Sequence, residues 1–454
     1  MAKFEKFAFK SLEDLKAKIR QLGININLSE DLSPLARQVK VGNKKTPNAI
    51  AILPMEGCDG NVDGSPSELT LRRYKRFASG GAGLLWFEAC AVVPEGKANP
   101  RQLHINRNNV QAFKNMVDMV EREAEISCGP GHRPVKILQL THSGRYSKPN
   151  GKPEPIIVQH DPLLDPPVGV TDDYPVVTDE YLDSLPGKYA QAATLAKEAG
   201  FDGVDIKSCH RYLFSEVLSG FTRGGKYGGS FENRTRLLLS TIEAVKNAVG
   251  DDFIIACRFN VFDAHPYPYG WGVDKEDYWK PDLTEPLKLA EALRNVGVSL
   301  LSSSAGNPYF HMPHVTRPYD TPTIGGEMPM EHPLESVARL FEFARLIQHT
   351  VLDIPVVGNG YSWLRQFLGN AGAANIADGS VSIVGLGREA FAYPDAPLDL
   401  LRKGVMDASR VCITCSKCTQ IMRDGGKTGC VIRDHELFLP IYNEGRKRIV
   451  VSKK

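Results

Sequence analysis

The chain alternates short apolar runs with longer amphipathic stretches. Eight runs read as strands: "AIAILPM" (49–55), "GLLWFEA" (83–89), "VKILQL" (135–140), "GVDIKS" (203–208), "FIIACRF" (253–259), "VSLLSSS" (298–304), "IPVVGNG" (354–360) and "SVSIVGL" (380–386). Most contain few interleaved polar residues, the pattern of parallel strands covered on both faces. Segments between them, such as 178–200, 230–250 and 285–297, carry apolar residues at helical spacing. Thr178 is placed to cap one of these ahead of an acidic first turn, and Gly200 to end it.

Eight β-then-α units predict an α/β fold of the (β/α)8 TIM-barrel type rather than a doubly wound sheet, which uses fewer strands. A helical extension is expected over 1–40, the barrel over 41–400, and a short C-terminal cysteine-rich segment with its tail over 401–454. Chemistry in such a barrel sits at the C-terminal ends of the strands. Polar residues stand there throughout: Glu56, Glu88, Gln139 and His142, Lys207 and His210, Arg258, Ser302 to Ser304, Asn359, Gly387 and Arg388. Three stretches, 141–177, 260–284 and 305–335, lack period and are expected to form ordered walls over that face.

Composition narrows the function classes. A formal charge of +2, 42 % apolar and 24 % charged residues describe an ordinary enzyme and imply no nucleic-acid stripe. Neither a signal peptide nor a membrane helix is visible, so a cytoplasmic protein is expected. The nine cysteines are dispersed except for "CITCSKCTQIMRDGGKTGC", which places Cys412, Cys415, Cys418 and Cys430 within one short segment. Structural zinc sites usually use two separated C-x2-C pairs, whereas three cysteines at three-residue intervals with a remote fourth fit the wrap of a [4Fe-4S] cluster. Arg423 and Lys427 are candidates to offset its charge. Of the other cysteines, only Cys209, beside His210, is a candidate for a pocket role.

The last strand end, "VGLGREA", sets Gly385, Gly387 and Arg388 at a turn that can offer backbone N–H groups and a guanidinium to a phosphate, with Gly358, Asn359 and Gly360 beside it. Tyr212, in "HRYLF", can deliver a proton to a developing carbanion, while His210 or Lys207 holds an oxygen that gains charge. A buried core tyrosine would read the same way from spacing alone.

"QLTHSGR" (139–145), "FDGVDIKSCHRYLFSEVLSG" (201–220), "KYGGSFENRTR" (226–236) and the "GR" of 387–388 resemble the old yellow enzyme superfamily of FMN-dependent oxidoreductases. With the cysteine segment, the chain is most similar to the branch of 2,4-dienoyl-CoA reductase, trimethylamine dehydrogenase and the bile-acid enoate reductases. The resemblance covers about residues 35–435. It implies FMN at the barrel mouth and a [4Fe-4S] cluster beside it. It also implies Pro54 and Met55 against the isoalloxazine, Gln139 on its pyrimidine edge, Arg258 near its N1 and O2, and Gly358, Gly360, Gly387 and Arg388 at the phosphate. Glu56, Asn359 and Ser304 complete the candidate cofactor-binding set, and Tyr212, His210 and Lys207 the catalytic one.

Lys207 departs from the histidine or asparagine of many relatives. It can bind a carboxylate, hold an enolate oxygen, or pair with Glu56 and leave the substrate to His210. No GxGxxG lies between a strand and a helix, so no internal pyridine-nucleotide domain is expected. The resemblance therefore implies an ene-reductase fed directly by NAD(P)H or by an external flavoprotein or ferredoxin. Amine dehydrogenation and a bare electron-transfer subunit stand as alternatives, and homo-oligomerisation is left open.

Overall fold

The computed structural model describes residues 4–310 and 316–452. Strands β1 (Ile50–Ile52), β2 (Leu84–Ala91), β3 (Val135–Thr141), β4 (Gly203–Ile206), β5 (Ile254–Phe262), β6 (Leu300–Ala305), β7 (Val357–Gly358) and β8 (Ile383–Leu386) are all parallel. They lie in the order β7-β8-β1-β2-β3-β4-β5-β6. Between β6 and β7 the ring closes through a parallel bridge from Leu301 to Val356, where Leu301 N–H donates to Pro355 O at 3.1 Å. The fold is thus the expected barrel, and each run read as a strand overlaps one.

The unbroken apolar runs have a direct explanation. Ala51, Leu53, Leu84, Trp86, Val135, Ile137, Ile254 and Ala256 point inward and fill the barrel with Leu300, Val357 and Ile383. Their neighbours Ile50, Ile52, Leu85, Phe87, Leu138 and Ile255 point outward and pack under the helices. Both faces of each strand are therefore dry, and no polar alternation survives. Val41, from the hairpin Lys40–Val41 with Lys44–Lys45, joins the inner cluster at the N-terminal end of β5.

The outer layer is α1 (Glu68–Ser79), α2 (Val110–Cys128), α3 (Asp179–Glu198), α4 (Phe231–Val249), α5 (Thr284–Val296), α6 (Pro333–Thr350), α7 (Leu368–Ala377) and α8 (Ala396–Lys403). Thr178 caps α3 as predicted, its hydroxyl accepting from Tyr181 N–H at 3.2 Å, and the chain turns away at Gly200 with φ +90°. A further helix, Leu12–Leu22, lies in the N-terminal extension.

The long connections are walls pinned by buried ions. In 141–177, fully buried Arg145 donates to Glu216 Oε1 at 2.6 Å and to Asp165, while Asp161 Oδ2 lies 2.7 Å from His265 Nε2 in 260–284. Within 305–335, of which 311–315 lie outside the described residues, Asp320 accepts from Trp363 Nε1 at 2.8 Å and Arg365 at 2.6 Å. The cysteine segment packs back on the barrel mouth. Thr428 N–H donates to Asp59 Oδ2 at 3.2 Å, and Asp434 pairs with Arg72 at 2.7 Å and Arg76 at 2.6 Å on α1. Among the described residues, no helix is long and apolar enough to cross a membrane.

Candidate active site

A cavity of about 680 Å³ opens at the C-terminal ends of the strands. Its wall includes Pro54, Met55, Glu56, Gln139, Lys207, His210, Tyr212, Arg258, Asn359, Gly360, Gly387 and Arg388, so most of the residues singled out in the sequence meet there. Ser304 stands one shell back, its Oγ 2.9 Å from His210 Nε2. Gly358 does not line the cavity; an added Cβ there would meet Val381 Cγ1 at 2.9 Å, so strand packing accounts for this glycine.

The turn after β4 aims the proposed catalytic side chains. His210 and Arg211 both have left-handed backbones, with φ 65° and 60°. Such conformations cost about 1–2 kcal/mol for each L-residue. Arg211 offsets that cost by pairing, while buried, with Asp263 at 3.2 Å and Asp161 at 3.5 Å; His210 N–H donates to Asn260 Oδ1 at 3.2 Å. The turn delivers Tyr212 to the start of the short helix Leu213–Leu218 with its hydroxyl in the cavity.

The Tyr212 hydroxyl lies 3.3 Å from Glu56 Oε2 and 3.0 Å from Tyr309 Oη. Lys207 Nζ sits 3.7 Å from the Tyr212 ring centroid and 3.6 Å from Glu56 Oε2. Tyr309 stacks on Tyr146 at 4.0 Å between centroids, and Asn307 Nδ2 donates to the Tyr146 hydroxyl at 2.7 Å. Burial pushes the Tyr212 phenol well up, and the Glu56 carboxylate adds to it. His210 is held neutral because burial, and then the charges of Arg258, Lys207 and Arg317, oppose protonation.

Asp205 on β4 organises the floor, and sequence reasoning missed it. It accepts from Gln139 Nε2 at 2.6 Å, Trp86 Nε1 at 2.9 Å and Arg258 N–H at 2.8 Å. Burial lifts its carboxyl to about 6. The available signal was a lone carboxylate inside an apolar strand, which a dry interior tolerates only when hydrogen-bonded.

The cavity can take a phosphorylated, electron-accepting ring system. Gly387 leaves its side open, since an added Cβ would meet nothing nearer than Met55 Sδ at 4.0 Å. Arg388 donates Nη2 to Pro318 O at 2.5 Å, while its Nη1 is buried with no partner. Arg258 likewise donates Nη1 to Pro54 O at 3.3 Å and keeps Nε unpartnered. Asn359 donates one side-chain N–H to Ser303 O at 2.7 Å, which fixes its amide at the cavity wall. Arg317, unmarked by any sequence pattern, also lines the wall; burial and the nearby guanidinium of Arg388 lower it to about 10. Crowded cations of this kind call for an anion between them.

Cys412, Cys415, Cys418 and Cys430 all line a second, small cavity of about 20 Å³. Thr414 and Ser416, with φ 50° and 56°, bend the chain so that cysteines three residues apart converge. Thr414 N–H donates to Cys412 Sγ at 3.4 Å and Arg433 N–H to Cys430 Sγ at 3.3 Å. Burial pushes the Cys412, Cys415 and Cys430 thiols up, so the thiolates need a compensating charge. Among the described residues, no three His, Cys, Asp or Glu side chains gather closely enough for a single metal ion. Arg423 donates to Thr323 Oγ1 at 2.9 Å and to Pro308 O at 3.1 Å. Arg388, Phe391 and Cys418 line both cavities.

The remaining cysteines differ from expectation in one respect. Cys209 is buried and does not line the large cavity, whereas Cys58 does. Cys58 is tied to the cysteine segment, its N–H donating to Thr428 Oγ1 at 3.0 Å.

Comparison with known proteins agrees with this geometry. The chain is 31 % identical over 386 residues to an NADH oxidase of Thermoanaerobacter brockii, covering 83 % of this chain and 52 % of that protein. It is 26 % identical over 437 residues to a metal reductase of Desulforamulus reducens, covering 93 % and 57 %. The chain thus spans about half the length of these curated relatives. Among solved structures, the old yellow enzyme homologue from Zymomonas mobilis shares the fold with a TM-score of 0.60 at 21 % identity, over 82 % of this chain and 94 % of that one. Residues 34–268 match the NADH:flavin oxidoreductase / NADH oxidase family, and the chain belongs to that family of enzymes.

Proposed function

We propose that this chain is an FMN- and [4Fe-4S]-dependent ene-reductase that saturates the C=C bond of an enone or enoate. Residues 41–400 would form the flavin barrel, 1–40 its extension and 401–454 the cluster segment. The observation that carries the reading is the meeting of Tyr212, His210 and Lys207 with Gln139, Arg258 and Arg388 in one cavity, while Arg388 and Cys418 also face the four-cysteine cavity.

In this reading, Gly360, Gly387 and Arg388 hold the phosphate, Pro54, Met55 and Gln139 border the ring, and Arg258 brings positive charge to its pyrimidine side. The four cysteines hold the cluster. Bound FMN would supply hydride chemistry at the barrel mouth, and a [4Fe-4S] cluster would supply one-electron transfer beside it.

The chain's own residues do the rest. Tyr212 keeps a proton on its hydroxyl and gives it to the α-carbon. Neutral His210, steadied by Ser304, donates its N–H to the substrate oxygen. Asp205 fixes Gln139 and the Arg258 backbone, so these groups are in place before substrate arrives. Tyr146 stacks on Tyr309, whose hydroxyl borders that of Tyr212. A protonated amine would instead enter a cavity holding Lys148, Lys207, Arg258, Arg317, Arg388 and Arg423, whose lining carboxylate, Glu56, is already engaged by Lys207.

The electron donor is NAD(P)H itself or an external flavoprotein or ferredoxin, and the setting is cytoplasmic. The test is reoxidation of the reduced protein, prepared with NAD(P)H or a reduced viologen, by a panel of enones, enoates and methylamines. Reoxidation by enones or enoates faster than by oxygen is expected. Reoxidation by no compound in the panel, but by a partner protein, would overturn the enzyme reading.

A further inference from the structure

We propose that Lys207 acts through Tyr212, as a positioning residue whose ammonium, docked on the phenol ring face and anchored by Glu56, stabilises the phenolate left after proton transfer. The inference rests on the ene-reductase reading for its chemical step, but not for its geometry.

Lys207 is 3 % exposed, and its ammonium lies 3.7 Å from the Tyr212 ring centroid and 3.6 Å from Glu56 Oε2. Glu56 is itself held from the other side, where its Oε1 accepts from Gln102 Nε2 at 2.7 Å. A substrate-binding lysine needs its charge aimed at the ligand. This one spends its charge on the ring and on a fixed carboxylate.

The groups facing the phenol explain why it needs a cation. Glu56 lies 3.3 Å from the Tyr212 hydroxyl, Tyr309 lies 3.0 Å from it, and the Tyr146 ring packs 6.1 Å away between centroids. A phenolate formed here would be dry and beside a carboxylate. Both facts hold the proton on oxygen and make Tyr212 a reluctant acid. The ammonium against its π face favours the ionised form, by cation–π attraction and by simple charge.

The step balances without a further reagent. The Tyr212 O–H bond breaks, a C–H bond forms at the α-carbon that the hydride has made electron-rich, and the O–H electron pair stays on the phenolate beside Lys207. Tyr309, 46 % exposed and 3.0 Å away, is the route by which solvent returns the proton.

The test uses full-length protein carrying difluorotyrosine in place of Tyr212, whose fluorine NMR shift reports ionisation without any substrate. Lys207→Met should move that ionisation upward by about one pH unit. In the unlabelled protein, Lys207→Met should slow enoate-driven reoxidation about tenfold with substrate Kd nearly unchanged, and Lys207→Arg should restore part of the rate. An unmoved titration overturns the proposal. So does a rise in Kd for carboxylate substrates at constant maximal rate, which would make Lys207 a substrate ligand. A shifted titration in a protein whose flavin no enone or enoate reoxidises would keep the Lys207 assignment and remove the ene-reductase reading.

Discussion

Tyr212 is the residue on which the proposed protonation turns. Tyr212→Phe keeps the ring under Lys207 and removes only the proton, so flavin reduction should be nearly unchanged while reoxidation by an enoate slows about 100-fold or more. Rapid-mixing traces of the two half-reactions separate these effects, and unchanged reoxidation would take Tyr212 out of the donor role. Arg388 is the second residue to test. Arg388→Met removes the guanidinium whose Nη1 is buried without a partner, and should loosen FMN by about tenfold or more, read as flavin lost on dilution. At this scale much was legible: the strand-end rule located the cavity residues because a barrel forces strand ends together. Asp205 was not legible as an organiser, because its three hydrogen bonds come from β2, β3 and β5, which only the closed ring brings alongside β4.

Among the elements, the turn after β4 and the wall 141–177 are joined by the buried pair of Arg211 and Asp161. Arg211→Met would remove the buried positive charge facing Asp161 and Asp263 beneath a left-handed turn, and should destabilise the fold by about 3–5 kcal/mol, measured by denaturant unfolding. His142 ties the same wall to β3: its Nδ1 accepts from Gly144 N–H at 3.0 Å, and its Nε2 lies 2.8 Å from the Tyr181 hydroxyl. Burial lowers it to about 3, far below the usual imidazole range. A group whose folded value is depressed contributes stability that is complete above its unfolded value and is lost as pH falls toward the folded one. The wild-type protein should therefore lose on the order of 1 kcal/mol for each pH unit between about 6.5 and 3 from this residue, and His142→Asn should flatten that slope in thermal unfolding. The sequence marked these walls as ordered by their aromatic and aliphatic content. It gave no sign of the buried ion pairs that pin them, since Arg145 and Glu216 stand 71 residues apart.

For the whole molecule, the two cavities share Arg388, Phe391 and Cys418, which puts the four cysteines next to the mouth of the barrel. The spacing of the cysteines suggested a cluster, but only the fold sets them beside that mouth, through Thr428 on Asp59 and Asp434 on α1. That adjacency is the physical basis for reading one redox enzyme with two centres rather than a barrel with a zinc-clipped tail. An absorbance spectrum of the purified chain with flavin, iron and acid-labile sulfide quantified per chain tests it most directly. The proposed enzyme should carry about one FMN and about four iron atoms with matching sulfide, and replacing Cys418 with serine should remove the iron. Flavin with zinc in place of iron, or no metal at the cysteines at all, would contradict the account.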